Sequence, residues 1–486
     1  MKIRLISFAT LAILSGIAPA VLADDDATVS RFTRALAALD IPAAHVSIVA
    51  QPLDHGGKTW SLNPHALRLT ASTAKLYTTY AALVKLGPAT TLKTEVWQNQ
   101  PTTDGQGRTG DLTIVGSGDP SMTVERLSSL LRQLRAQGIQ EIRGNIVLDR
   151  SRFGPASALP FDPMAFDAKP MRPYNVGPDA LLLNFRAIQV VLTPQNGSVL
   201  ARLETPLAGA ELDNQLQPGD GRCSDWKDNV QSSISGNFKI TLKGNFPRSC
   251  TPQTLQLAAH GAELVGETGA NKYAEALIRA LWQEMGGNWS GKVVSGAKPA
   301  SATLIASSES QPVAQLVRDI NKYSNNVMAR QLFLLLADAP STQAAAEQAL
   351  RQTLSGRNVP MKHLVIENGS GLSRKEATTA DEMTGLLRVI WNDPRMPELL
   401  SSLPIGGTDG TLKKNKNNGG DTGRIRLKTG SLENARTAAG YVQDNSGRWH
   451  TLVVMIQDPR ATANYGALRE AIDQLSNSLA NQSPGN

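Results

Sequence analysis

The sequence predicts an α/β domain interrupted by a large, mostly β-containing insert. Three observations carry that reading. Amphipathic helices and short apolar strands occupy both ends of the 486-residue chain, with strands at 44–62 and 424–457. After Gly87-Pro88 the texture changes to short β segments broken by Gly, Pro and Asn. Helical periodicity then returns at Gln311. A chain of this length can fill two or three units with full-sized cores.

Taken in order, Lys2 and Arg4 precede an apolar run from Leu5 to Val21, and Val21-Leu22-Ala23 precede Asp24-Asp25-Asp26. A basic start, an apolar middle too short to span a bilayer, and small residues before a break read as a removable export signal over 1–23. No later stretch approaches membrane-spanning length. Removing Lys2 and Arg4 takes the formal charge from +7 to +5 (7 − 2). That mild excess suits an anionic polymer and is too diffuse to indicate nucleic acid. The two cysteines, Cys223 and Cys250, read in an exported chain as one disulfide, with two separate buried thiols as the alternative.

Thr28 to Asp40 has helical apolar spacing through Val29, Phe32, Leu36 and Leu39. Strands are expected at Ala44 to Gln51 and Thr59 to Leu62 about a Gly56-Gly57 turn, then a helix and hairpin leading into a helix from Ser72 to Leu86. Residues 88–298 form the insert, with a possible nested unit near 110–175. In it we expect strands at Thr91 to Gln98, Asp111 to Val115 and Gly144 to Asp149, and helices at Thr123 to Gln137 and Tyr273 to Met285. A proline-rich loop spans Arg152 to Pro178, and short β segments span Ala187 to Gly261. Residues 24–87 and 299–486 are then one domain. In its second half Gln311 to Asp338 is helical with a break at Tyr323-Ser324-Asn325-Asn326, and Thr342 to Ser355 is helical. Thr379-Ala380-Asp381-Glu382 is a capping box opening a helix through Trp391. Strands at Arg424 to Lys428, Ala438 to Gln443 and His450 to Gln457 and a helix from Asn464 to Ala480 close the chain.

Three short patterns carry chemistry. Ser72 and Lys75 are three apart, on one helix face. A serine hydroxyl needs an adjacent base, and a lysine can be that base only when desolvation or positive neighbours lower its pKa. Ser324-Asn325-Asn326 lies at the break between helices, and Lys428-Thr429-Gly430-Ser431 at the end of a strand. Each pattern alone is weak; the three in this order in an exported chain are strong, since together they form the set found in penicillin-binding proteins and β-lactamases. Ser72 would attack a carbonyl, Lys75 take its proton, Ser324 relay a proton to the leaving amine, and Asn326 orient Lys75. Lys428 and Thr429 would hold a substrate carboxylate, and Gly430 would let a peptide lie against the strand edge. The N–H groups of Ser72 and Ser431 could form an oxyanion hole. The six histidines (45, 55, 65, 260, 363 and 450) never fall at metal-ligand spacing, so neither metal nor cofactor is expected.

With these patterns stand Gly116-Ser117-Gly118-Asp119-Pro120, Glu367-Asn368-Gly369-Ser370-Gly371-Leu372-Ser373-Arg374 and Leu403-Pro404-Ile405-Gly406-Gly407-Thr408-Asp409-Gly410-Thr411-Leu412. On all of them the chain resembles the class C low-molecular-mass penicillin-binding proteins, serine D-alanyl-D-alanine carboxypeptidase/endopeptidases. The resemblance covers essentially the whole chain after residue 23, and is weakest across 187–260. It implies a serine β-lactamase/transpeptidase-like domain, an antiparallel sheet flanked by helices, and a periplasmic enzyme acting on peptidoglycan stem peptides. It further implies cleavage of D-Ala-D-Ala and D-Ala–diaminopimelate bonds through an acyl-enzyme that β-lactams trap. By the same resemblance Arg374, Tyr174 and Asp167 bind the peptide stem. Their ordinary readings are a surface residue after a turn, packing in a proline-rich loop and a solvated carboxylate. Asn325 stands where Asp is frequent. The competing functions are a non-catalytic penicillin-binding-like module, which should have lost one of the motif residues, and a β-lactamase, against which length and insert argue. An oligomer is compatible with the sequence.

Overall fold

The computed structural model describes residues 27–54, 59–100, 107–155, 159, 161–414 and 423–483. The export segment 1–23 and the Gly56-Gly57 turn lie outside the described residues.

The two ends of the chain build one antiparallel sheet, in the order Ile425–Leu432, Ala435–Gln443, Trp449–Gln457, Val46–Pro52, Trp60–Leu62. Ala435–Gln443 and Trp449–Gln457 are buried along nearly their whole length. That requires cover on both faces, which explains their continuous apolar character where a one-sided sheet would alternate. One face packs on Ala27–Ala37 and Tyr465–Ala480, through Phe32, Leu36, Leu468 and Leu475. The other carries Lys75–Lys85, Val313–Tyr323, Asn326–Leu334, Gln343–Ser355 and Ala380–Trp391. The 380–391 helix is capped as its sequence predicts, with the Thr379 hydroxyl accepting from Glu382 N–H at 3.1 Å.

Three elements differ from expectation. No helix joins Leu62 to Ser72 among the described residues; a turn leads to a two-residue strand, Arg68–Leu69, paired with Ala377–Thr378. The Ser72 helix begins as a tight 3₁₀ turn over Ala71–Ala74 and becomes α-helical at Lys75. The Arg424 strand continues through the Lys-Thr-Gly pattern to Leu432 and turns back through Glu433 and Asn434 into Ala435. Glycine and serine in that run mask its β character in sequence.

The insert is more helical and more parallel than its texture suggests. Its main sheet runs Val293–Ser295, Ile146–Asp149, Leu112–Val115, Lys93–Gln98, Thr303–Glu309, with parallel pairing in its first half. The helices Val124–Ala136 and Gly266–Glu284 join that core through Leu127, Leu130, Leu277 and Leu281. The returning strand, Thr303–Glu309, lies beyond residue 298. The short β segments of 187–258 form two further three-stranded sheets nested within this α/β unit. Among the bonds between insert and sheet domain, the Gln331 amide accepts from Asp179 N–H at 3.0 Å and donates to Asp179 C=O at 2.7 Å. No described helix is long and apolar enough to cross a membrane.

Cys223 and Cys250 are bonded within the nested unit, beside Trp226 packed edge-on against Phe246 at 5.8 Å. The bridge closes a loop across a sequence separation of 27. Replacing both cysteines by alanine is expected to lower the unfolding free energy of the nested unit by about 2–4 kcal/mol. Denaturant titration of oxidised protein against the double variant measures this, and equal midpoints would contradict it.

Candidate active site

Ser72 sits in the 3₁₀ turn and Lys75 opens the α-helix that follows. Lys75 is fully buried, and its Nζ reaches three oxygens from three separate segments. These are Ser72 Oγ at 3.0 Å, Asn326 Oδ1 at 2.6 Å, and the main-chain carbonyl of Ser370 in a short contact. Burial pushes the Lys75 ammonium well below its ordinary range, the positive charges of Lys428 and Arg330 push it further, and Glu376 opposes them. A neutral amine has two N–H donors and one lone pair. Asn326 Oδ1 and the Ser370 carbonyl can only accept, so they take the donors and leave the lone pair facing the Ser72 hydroxyl.

The Asn326 side chain is held by local backbone geometry. Ser324 ends the Val313–Tyr323 helix in the left-handed region, at φ 56° and ψ 37°. Such a conformation costs a non-glycine residue about 1–2 kcal/mol. It turns the chain so that Asn325 caps the next helix, its side chain accepting from Met328 N–H at 3.1 Å. Asp and Asn serve equally as N-caps, which accounts for Asn325 where Asp is frequent.

Lys428 is also fully buried and donates to Ser324 Oγ at 2.9 Å and to the Thr429 carbonyl at 2.6 Å. Burial alone pushes it down to about 7. Thr429 shares a hydrogen bond with Thr411 at 2.8 Å, which places the 403–412 segment beside the site. Gly430 is also constrained by the Ser72 turn: a Cβ there would lie 2.7 Å from Ser72 N and 2.3 Å from Thr437 Oγ1. This close approach stands beside the expectation that the glycine clears room for a peptide. The 425–432 strand is the edge of the sheet, and Ser72, Ser324, Asn326, Thr429, Gly430 and Ser431 line a cleft of about 760 Å³ beside it.

The three stem-binding candidates are brought together only in part. Tyr174 lines the cleft and donates from its hydroxyl to Asp167 Oδ2 at 2.8 Å, a bond that, with burial, pushes the phenol up to about 12. Asp167 also accepts from Asn175 Nδ2 at 2.7 Å, and so holds its loop rather than facing the cleft. Arg374, 55% exposed, donates to the Phe166 carbonyl at 2.9 Å and pairs with Glu433 at 3.2 Å; it does not line the cleft.

Two buried ions escaped the sequence reading. Glu376 is fully buried and accepts from the N–H groups of Glu367, Asn368, Gly369 and Gly371 at 2.7–2.9 Å. It shapes the loop that presents the Ser370 carbonyl to Lys75. Gly371, at φ 78°, has no space for a side chain, since a Cβ would meet the Ala71 carbonyl at 1.8 Å. Arg330, four residues after Asn326, donates to the carbonyls of Tyr174 at 3.1 Å and Val176 at 2.9 Å. A cation inside the apolar run Val327-Met328-Ala329-Arg330-Gln331-Leu332-Phe333 was the one available signal for it.

The sequence profile of the D-Ala-D-Ala carboxypeptidase 3 (S13) family matches residues 30–480. The chain is 25% identical over 419 residues to the D-alanyl-D-alanine carboxypeptidase DacB of Haemophilus influenzae, covering 83% of each. It is 28% identical over 398 residues to a D-alanyl-D-alanine carboxypeptidase of an Actinomadura species, covering 78% of this chain and 71% of that one. The fold superposes on the crystal structure of penicillin binding protein 4 (dacB) from Haemophilus influenzae with a TM-score of 0.73 at 23% identity, over 93% of this chain and 98% of that one. A match across nearly the whole described chain, with the serine and lysine patterns assembled at one cleft, makes this protein a member of the D-Ala-D-Ala carboxypeptidase 3 (S13) family.

Proposed function

We propose that the chain is an exported serine DD-peptidase that cleaves the terminal D-Ala-D-Ala bond of peptidoglycan stem peptides through an acyl-enzyme on Ser72. The observation that carries this is the buried Lys75 amine, 3.0 Å from Ser72 Oγ, with its N–H donors engaged elsewhere. In the acylation step neutral Lys75 takes the Ser72 proton as Oγ bonds to the penultimate carbonyl carbon, and the C=O electron pair moves onto oxygen. Collapse of that tetrahedral centre breaks the C–N bond. The departing D-Ala amine receives the proton of Ser324, whose oxygen is held by Lys428 while its O–H is left to donate, and Ser324 takes in exchange the proton that Lys75 accepted, so that Lys75 is neutral again. Water then repeats the sequence at the ester carbonyl, with Lys75 as its base, and releases the shortened peptide.

Lys428 and Thr429 receive the substrate's terminal carboxylate on this reading, and Ser72 and Ser431 offer main-chain N–H groups to the oxyanion. The cleft runs past the three patterns onto the insert, along Thr123, Asn184, Gln189 and Gln256. That length supports a second activity on D-Ala–diaminopimelate cross-links, where the leaving group is itself a stem peptide. A bonded cysteine pair supports an oxidising compartment such as the periplasm. β-Lactams, which present an acylating carbonyl beside a carboxylate, fit the same groups. A solved relative from Haemophilus influenzae is described as complexed with a β-lactam.

Incubation with penicillin is expected to add one covalent equivalent on the peptide that contains Ser72, and none in Ser72→Ala, as intact and peptide mass would show. Absence of any adduct on the wild type would favour a non-catalytic binding module.

Substrate charge gives a second test. Lys428→Ala should lower kcat/KM for D-Ala-D-Ala peptides by about 2–5 kcal/mol, with a smaller effect on C-terminally amidated peptides. Wild type should prefer the acid strongly, because the amide leaves a buried ammonium without its anion.

The pH profile follows with a definite sign. Lys428 binds a carboxylate in its protonated form, and burial holds it at about 7. For acid substrates kcat/KM should therefore fall as pH rises through about 7, while amidated peptides should lack that basic limb. A shared basic limb for both would assign it to another group.

A further inference from the structure

We propose that Arg330 is a positioning residue for the Ser72 reaction, which ties the Tyr174 segment to the Asn326 helix and keeps a positive charge within electrostatic reach of Lys75. The inference rests on the reading of Ser72 as nucleophile and Lys75 as base.

Arg330 lies one helical turn beyond Asn326 and so on the same face of the Asn326–Leu334 helix. From that face Asn326 Oδ1 reaches the Lys75 amine, while the Arg330 guanidinium reaches two carbonyls of the 174–176 segment. The same guanidinium lies over the Phe161 ring at 4.7 Å. One side chain thus grips the cleft-lining Tyr174 segment from beneath, through main-chain atoms. Packing alone does not require it. Its neighbours on the helix are Met328, Ala329, Leu332 and Phe333, all in the apolar core, and an apolar side chain would match them. The Arg330 Nε is buried with no hydrogen-bond partner among the described residues. A buried donor left unmade costs about 1–3 kcal/mol, and a second cation near buried Lys75 adds repulsion. A residue kept at that cost is explained by what its charge does.

The charged groups around Lys75 are few. Lys428 approaches from the sheet edge, Arg330 from the helix, and Glu376 from behind the Gly369–Gly371 loop. The two cations disfavour protonation of Lys75 and the carboxylate favours it. Glu376 also acts electrostatically on Arg330, so the pair influence Lys75 with opposite sign. Asp167, the other carboxylate near the Tyr174 segment, is occupied by Tyr174, Asn175 and the Lys169 N–H.

Acylation by a chromogenic β-lactam, followed across the acid and neutral range, separates charge from packing. In Arg330→Gln the acid limb of acylation is expected to move to higher pH, because Lys75 loses a positive neighbour and binds its proton more tightly. Arg330→Lys retains charge and should keep the limb at its wild-type position. That variant cannot grip both carbonyls, so kcat/KM for stem peptides should drop on the order of tenfold while short acyl-D-Ala-D-Ala substrates lose less. A folded Arg330→Gln that still labels on Ser72 with an unmoved limb overturns the proposal. Should Arg330→Gln not fold, Arg330→Lys decides: an unchanged ratio of stem-peptide to short-substrate kcat/KM overturns it. A wild type that forms no adduct overturns this inference and the function it rests on together, whereas an adduct with an unmoved limb overturns only the role of Arg330.

Discussion

A lysine amine buried with no carboxylate in contact among the described residues is the constraint around which this site is built. Lys75 draws together three segments far apart in sequence: its own turn, the start of the Asn326 helix, and the Gly369–Gly371 loop. Each needs unusual local structure to reach it. Ala71 adopts a positive φ directly before Ser72, and Ser324 does so before Asn326. The loop is folded on four N–H groups gathered by one buried carboxylate, Glu376. Strain of this kind persists only where surrounding structure over-determines it. Here the packed helical face supplies that structure.

The three patterns that meet at the cleft were legible in sequence because each is local. Ser-x-x-Lys, Ser-x-Asn and Lys-Thr-Gly each fit within one turn or one strand end, and their order along the chain restricts the assembly. The capping box at Thr379 and the apolar strands around 435–457 were legible for the same reason. What escaped is long-range. Glu376 acts through backbone amides nearby, yet nothing in Arg374-Lys375-Glu376 distinguishes a buried organiser from a solvated charge. The reason for Gly430 lies with Ser72 and Thr437, one of them more than three hundred residues away. The order of strands in the insert depends on crossovers that no period of two or 3.6 records.

The insert's role at the cleft is carried by few contacts. Gln331 bonds both main-chain polar groups of Asp179, and Arg330 bonds the carbonyls of Tyr174 and Val176. Both side chains stand on the helix that begins at Asn326. The Tyr174 segment at the cleft and the Asn326 amide bonded to Lys75 are thus both tied to one helix. A shift of either is a shift of both, which suits a reaction whose rate depends on small displacements.

That arrangement also sets how stability varies with pH. Lys75 and Lys428 both have folded-state pKa values below their ordinary ones, so the unfolded chain holds more protons over the intervening range. Stability must then rise with pH, for Lys428 between about 7 and the ordinary lysine value, and the lysines cost most stability where both are forced to carry charge. Replacing either by an apolar residue of similar length would relieve that cost, and on the proposed function would remove the chemistry with it. On that proposal stability and catalysis oppose each other at these two positions. The opposition would follow from desolvation, the same effect that lowers the Lys75 pKa.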